Sequence, residues 1–129
     1  MTSPTTNRPL SPHLLNYRWP LTVLCSGTHR ITGILLSIGT VLFVFWLGSA
    51  AYGPAAYDFA SSLFSSPIGY LVLFGYTFAL YYHLCAGTRH LLWDVGKGFD
   101  LATCAWSNYA VIGAALFFTV VTWAAALIF

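Results

Sequence analysis

From Ile31 to Tyr57 this chain runs 27 residues without a charged side chain. A hydrocarbon layer about 30 Å thick is crossed by about 20 helical residues, so the run reads as a transmembrane helix. Two more apolar runs follow. The expected fold class is an all-α membrane protein with three transmembrane helices, at about 21–52, about 67–94 and about 102–128. They form one transmembrane anchor domain over residues 1–129, with 1–20 as a surface segment.

Composition excludes the competing class. Hydrophobic residues make up 58% of the chain and charged residues 6%, against about 25% charged in soluble domains. A soluble protein of this length needs more charge to cover its surface. The net charge of +2 is too small to point to nucleic acid. Cys25, Cys85 and Cys104 are odd in number and lack C-x-x-C spacing, so they read as small core residues rather than a disulfide framework or zinc site.

Residues 1–20 hold Pro4, Pro9, Pro12 and Pro20 with Arg8, His13 and Arg18. They read as irregular chain at the headgroup level, where Tyr17, Trp19 and basic side chains are favoured. No secretory signal opens the chain, and the missing presequence favours a bacterial cytoplasmic (inner) membrane over the mitochondrial one. Residues 52–67 carry Gly53, Pro54, Asp58 and several serines, a connection with a short interfacial helix around 55–64. Gly96-Lys97-Gly98-Phe99-Asp100 is a turn. The third span holds neither charge nor imidazole and reads as a packing helix.

The placement of charge gives the orientation. Arg8, Arg18 and Arg30 lie at the entry of the first span, and Arg89 and Lys97 at the exit of the second. All five basic residues thus fall on one side, which places the N-terminus in the cytoplasm and the C-terminus in the periplasm.

The polar residues inside the spans are the candidate site, because ionisable groups at membrane depth cost several kcal/mol (about 3 on insertion scales) unless paired or hydrated. In the stretch from Tyr82 to Asp94, helical rotation brings His83, Gly87, His90 and Asp94 within roughly 60° of one another, and turns Arg89 about 120° from His83. In the first span Ser26, Arg30, Gly33 and Ser37 share a small, polar face suited to close helix contact or a bound head group. Topology brings both groups to one leaflet. A neutral imidazole such as His83 is a natural axial ligand for haem iron. It is equally a histidine satisfied by a neighbouring helix, and spacing alone leaves both readings open.

Under the haem reading, Gly87 lets a flat macrocycle approach the backbone, and His29, Arg30 and Arg89 are cations for the propionates. A second histidine ligand then has to come from another chain. Ser26 and Arg30 can address a quinone carbonyl, or can act as a cap and a snorkelling cation. His90 and Asp94 can support the site or simply pair and close the helix.

Three motifs carry a resemblance. Ser26-Gly27-Thr28-His29-Arg30-Ile31-Thr32-Gly33 resembles S-x-x-H-R-x-[ST]-G of the succinate dehydrogenase cytochrome b556 subunit family. The segment from His83 to Gly96 resembles its H-x-x-x-G-x-R-H-x-x-x-D-x-G. The opening Arg8-Pro9-Leu10-Ser11-Pro12-His13-Leu14 looks like the family's R-P-L-S-P-H-L. The third span and the outer loop match only in type.

The resemblance implies one anchor subunit of respiratory complex II, part of a multi-subunit helical anchor. Its partners would be a second small anchor, an iron–sulfur subunit and a flavoprotein subunit carrying FAD. By that similarity His83 is an axial ligand of haem b shared with the second anchor, and Ser26 and Arg30 line the ubiquinone site. His29 and Arg30 reach the propionates, while Arg89, His90 and Asp94 are supporting. Other readings are a fumarate reductase anchor and a purely structural anchor; a transporter is set aside for want of inverted repeats.

Overall fold

The computed structural model describes His13 and residues 16–128. The Arg8-to-Leu14 motif therefore lies outside the described residues, apart from His13. Four helices follow in order: α1 (Leu21–Ser49), prolonged by one 3-10 turn at Ala50–Tyr52, then α2 (Pro54–Phe64), α3 (Pro67–Asp94) and α4 (Leu101–Ile128). Three stretches are long and apolar enough to cross a membrane: Leu21–Tyr52, Pro67–Asp94 and Leu101–Ile128. Among the described residues, the all-helical class with three spans is what the chain adopts.

Local chemistry sets the helix ends. Gly53 takes φ 106°, a backbone region that side chains disfavour, and Pro54 opens α2 at a position where its missing N–H costs nothing. Ser66 caps α3 by accepting the Gly69 amide at 3.0 Å. After α3, Gly96 at φ 76° lets Lys97 N–H reach back to the Leu92 carbonyl at 3.0 Å. Asp100 then caps α4, its Oδ1 accepting the Thr103 amide at 2.8 Å. The hydroxyl and amide of Thr103 together hold the Asp100 carboxyl below its ordinary value of 3.8.

The spans meet through small residues. Tyr82, Ala86, Val111 and Ala115 form the core between α3 and α4, with Phe78, Tyr81, Cys85 and Ile112 against it. In a membrane, lipid is as apolar as leucine, so close approach and interhelical hydrogen bonds replace hydrophobic exclusion as the holding forces. Tyr81 Oη and Thr122 Oγ1 lie 2.7 Å apart, and Trp123 Nε1 donates to Thr77 Oγ1 at 3.3 Å. α1 packs on α3 where Gly39 leaves room for the Tyr76 ring. Between the second half of α1, α2 and the first half of α3 an apolar cavity of about 480 Å³ opens, edged by Trp46, Tyr57 and Ser61. It lies toward the end of the bundle away from His83.

Candidate functional site

His83 projects from α3 onto α1 at the point where α1 carries Gly33. A β-carbon on Gly33 would lie 3.1 Å from His83 Cε1, so the glycine makes room for the ring. Nδ1 of His83 sits 3.1 Å from the His29 carbonyl oxygen and 3.2 Å from Thr32 Oγ1. Thr32 is buried, and its hydroxyl donates to that same carbonyl at 2.8 Å. Its proton being used there, the threonine oxygen presents a lone pair to Nδ1. Both neighbours of Nδ1 are then acceptors, so the neutral ring carries its proton on Nδ1 and keeps a lone pair on Nε2.

Two other imidazoles gather beside it. The His29 ring stacks on His83 with centroids 4.2 Å apart and planes 26° apart, and on His90 at 4.9 Å and 19°. Trp93 closes the column, its ring 5.1 Å from that of His90. Nδ1 of His90 lies 2.7 Å from the Ala86 carbonyl, so a backbone bond engages His90. Nε2 of His29 is buried with no hydrogen-bond partner among the described residues. Gly87 borders it: a β-carbon there would be 3.8 Å away. On α1, Ser26, three residues before His29, is half-buried, and Arg30, the residue after His29, is exposed.

Two residues of the sequence-derived set do not join the stack of imidazoles. Asp94 is exposed at the end of α3. Arg89 is 5% exposed and turns toward α4, where its Nη1 donates to Asn108 Oδ1 and reaches Ser107 Oγ at 3.5 Å. Its guanidinium carbon stands 4.6 Å over the Trp93 ring, a cation–π contact. Asn108 in turn donates from Nδ2 to Thr22 Oγ1 at 2.9 Å. One polar chain therefore links α3, α4 and α1, and Tyr82 adds a second tie by donating to the Cys25 carbonyl at 3.1 Å. Asn108, Thr22 and Thr32 are absent from the sequence-derived set. Asn108 carried a usable signal, a lone carboxamide inside a span that otherwise lacks strongly polar groups.

A family model described as the succinate dehydrogenase/fumarate reductase transmembrane subunit matches residues 4–122. The chain belongs to that family. The succinate dehydrogenase cytochrome b556 subunit of Paracoccus denitrificans is 42% identical over 116 residues, covering 90% of this chain and 89% of the relative. The cytochrome b560 subunit of Reclinomonas americana is 35% identical over 127 residues, covering 91% and 85%. The mitochondrial b560 subunit of Sus scrofa is 41% identical over 111 residues, covering 82% and 64%. The match to the succinate dehydrogenase/fumarate reductase transmembrane subunit family takes in α1, α2, α3 and most of α4. The imidazole column and the Arg89–Asn108–Thr22 chain both lie within it.

Proposed function

We propose that this chain is a membrane-anchor subunit of succinate:quinone oxidoreductase, which binds haem b with a second anchor and helps form the ubiquinone-reduction site. The observation that carries the reading is the state of His83: Nδ1 is fixed by the His29 carbonyl and Thr32, and Nε2 keeps its lone pair. Metal-ligating histidines usually hold their second nitrogen in this way, which sets the tautomer and raises ligand basicity. The unpartnered Nε2 of His29 supports the same reading, because a buried polar nitrogen without an acceptor is costly and a propionate would satisfy it. Residues of this chain thus fit the group. His83 would hold the iron, His29 and Arg30 the propionates, and Gly87 would leave room beside His29. When bound, haem b supplies a one-electron carrier next to the quinone site.

The second iron ligand is assigned to the other anchor. His29 lies face to face with His83, and His90 with His29. Stacked rings set their nitrogens side by side, not across a metal. Ser26 and Arg30, one turn apart on α1, would donate to a quinone carbonyl, with the guanidinium stabilising negative charge as it develops on that oxygen. Electrons would come from succinate through FAD and the iron–sulfur clusters of the two other subunits. His90 would steady His29 by stacking. Arg89, committed to Asn108, would act on the packing of the helices. The basic side, with the N-terminus and residues 95–100, would face the cytoplasm of a bacterium, and the C-terminus the periplasm.

The test is a reduced-minus-oxidised optical spectrum of the purified complex, with and without His83→Leu. A b-type band that is lost or displaced in the variant supports the ligand, and a band unchanged in it refutes the assignment. For the quinone site, Ser26→Ala and Arg30→Leu should lower succinate–quinone turnover at least tenfold, the scale of about 1.4 kcal/mol of lost transition-state contact. Succinate oxidation by a soluble artificial acceptor should persist. Parallel loss of both activities in an assembled complex would remove the quinone assignment.

A further inference from the structure

Thr32 is 4% exposed and makes two contacts that both concern His83. From this geometry we infer that Thr32 is a positioning residue for the haem ligand: its hydroxyl selects the His83 tautomer and fixes the plane of the ring. The inference rests on the reading of His83 as an iron ligand.

A hydroxyl has one proton to give and two lone pairs. Thr32 spends its proton on the His29 carbonyl at 2.8 Å, three residues earlier on the same helix. That bond fixes the hydroxyl rotor, and a lone pair is left toward His83 Nδ1 at 3.2 Å. The His29 carbonyl itself stands 3.1 Å from the same nitrogen. Three atoms thus form a closed triangle in which only one arrangement of protons leaves no two donors or two lone pairs opposed. It puts hydrogen on Nδ1 and none on Nε2.

Two neighbours make the arrangement rigid. Gly33, the next residue, faces His83 Cε1 so closely that a methyl would displace the ring. On the ring's face the His29 imidazole lies 4.2 Å away. The ring is therefore bounded on its edge by Thr32 and Gly33 and on one face by His29. Of these, only Thr32 and the His29 carbonyl can act on the ring's proton, and only the threonine is open to replacement by mutation, the other being backbone. Two acceptors on Nδ1–H push electron density toward Nε2, which favours the ferric state of an iron bound there and lowers its potential.

The experiment compares wild type, Thr32→Val and Thr32→Ser in the assembled, purified complex. It reads haem per FAD, the haem midpoint potential and the electron paramagnetic resonance of the ferric haem. Valine keeps the shape and removes the hydroxyl; serine keeps the hydroxyl. The expected result for Thr32→Val is a midpoint potential moved upward and altered ferric g-values, or loss of haem from an assembled complex. Thr32→Ser should restore wild-type values of all three. A Thr32→Val complex with full haem, unchanged potential and unchanged g-values overturns the inference. So does equal loss of haem in both variants, which would make Thr32 a matter of shape alone. The parent reading fails on a different result: wild-type spectra retained in His83→Leu would show that iron is held elsewhere, and the inference would fall with it.

Discussion

Arg89 is the residue whose setting is hardest to reverse. It is buried beside a carboxamide and an indole rather than a carboxylate. An interhelical hydrogen bond between neutral groups in a membrane averages about 0.6 kcal/mol. A buried charge left without its partner costs several times that, about 3 kcal/mol. The second effect governs here. Asn108→Leu is accordingly expected to destabilise the subunit by about 3 kcal/mol, read as a lowered midpoint for thermal unfolding of the purified complex. Adding Arg89→Met should restore part of that loss, because the double variant buries no unpaired charge. An Asn108→Leu midpoint equal to wild type would contradict the account. The difference between legible and illegible residues follows the same physics. His83, His29, Ser26 and Arg30 stand out because polar groups at depth demand a reason and their spacing repeats a motif. The Arg89–Asn108 bond depends on how two helices are rotated against each other. α3 is apolar nearly all round, so no stripe in its sequence marks which side α4 covers.

At the scale of elements, glycine decides how closely the helices approach. Gly69, in the first turn of α3, is buried against the backbone carbonyls of Leu63 and Phe64 at the end of α2. A β-carbon there meets main chain, which cannot swing aside. At Gly39 the obstacle is the Tyr76 ring, which can rotate. Gly69→Ala should therefore cost more than Gly39→Ala, about 3 against about 1 kcal/mol on the scale of overpacking, measured by thermal unfolding of the two variants side by side. The reverse order would show that the α2–α3 corner is softer than it looks.

The start of α4 carries a pH dependence. Because the folded Asp100 carboxyl is held below 3.8, its capping contribution is present above that value and is lost as pH falls through the lower folded value. Protection of the Thr103 amide, corrected for intrinsic exchange, should fall over that acidic window in wild type and be low throughout in Asp100→Ala. The three spans themselves were plain in the sequence, since charge-free runs of that length have one physical use. The exact corner at Gly69 was not, because it is made by contact between two elements.

For the whole molecule the outward surface matters most. Ile31, Ile34, Ile38 and Val41 of α1 are each more than half exposed, and the three-helix bundle ends without enclosing His83 on every side. Co-expression with a second anchor should give six-coordinate, low-spin haem. This chain reconstituted alone with haem should give a high-spin spectrum or none. Low-spin haem in the lone chain would place both ligands within it and refute the division between subunits.

The polar chain from α3 through α4 to α1 also bears on how the protein is made. Released alone into a bilayer, α3 would carry an uncompensated guanidinium about 7.5 Å inside its C-terminal end, five residues before Asp94. The group that answers it, Asn108, arrives only with the next helix, a short turn later in synthesis. The two therefore settle as a hairpin. The α3–α4 hairpin thus gives the guanidinium its partner, and Thr22 of α1 closes the polar chain by accepting from Asn108.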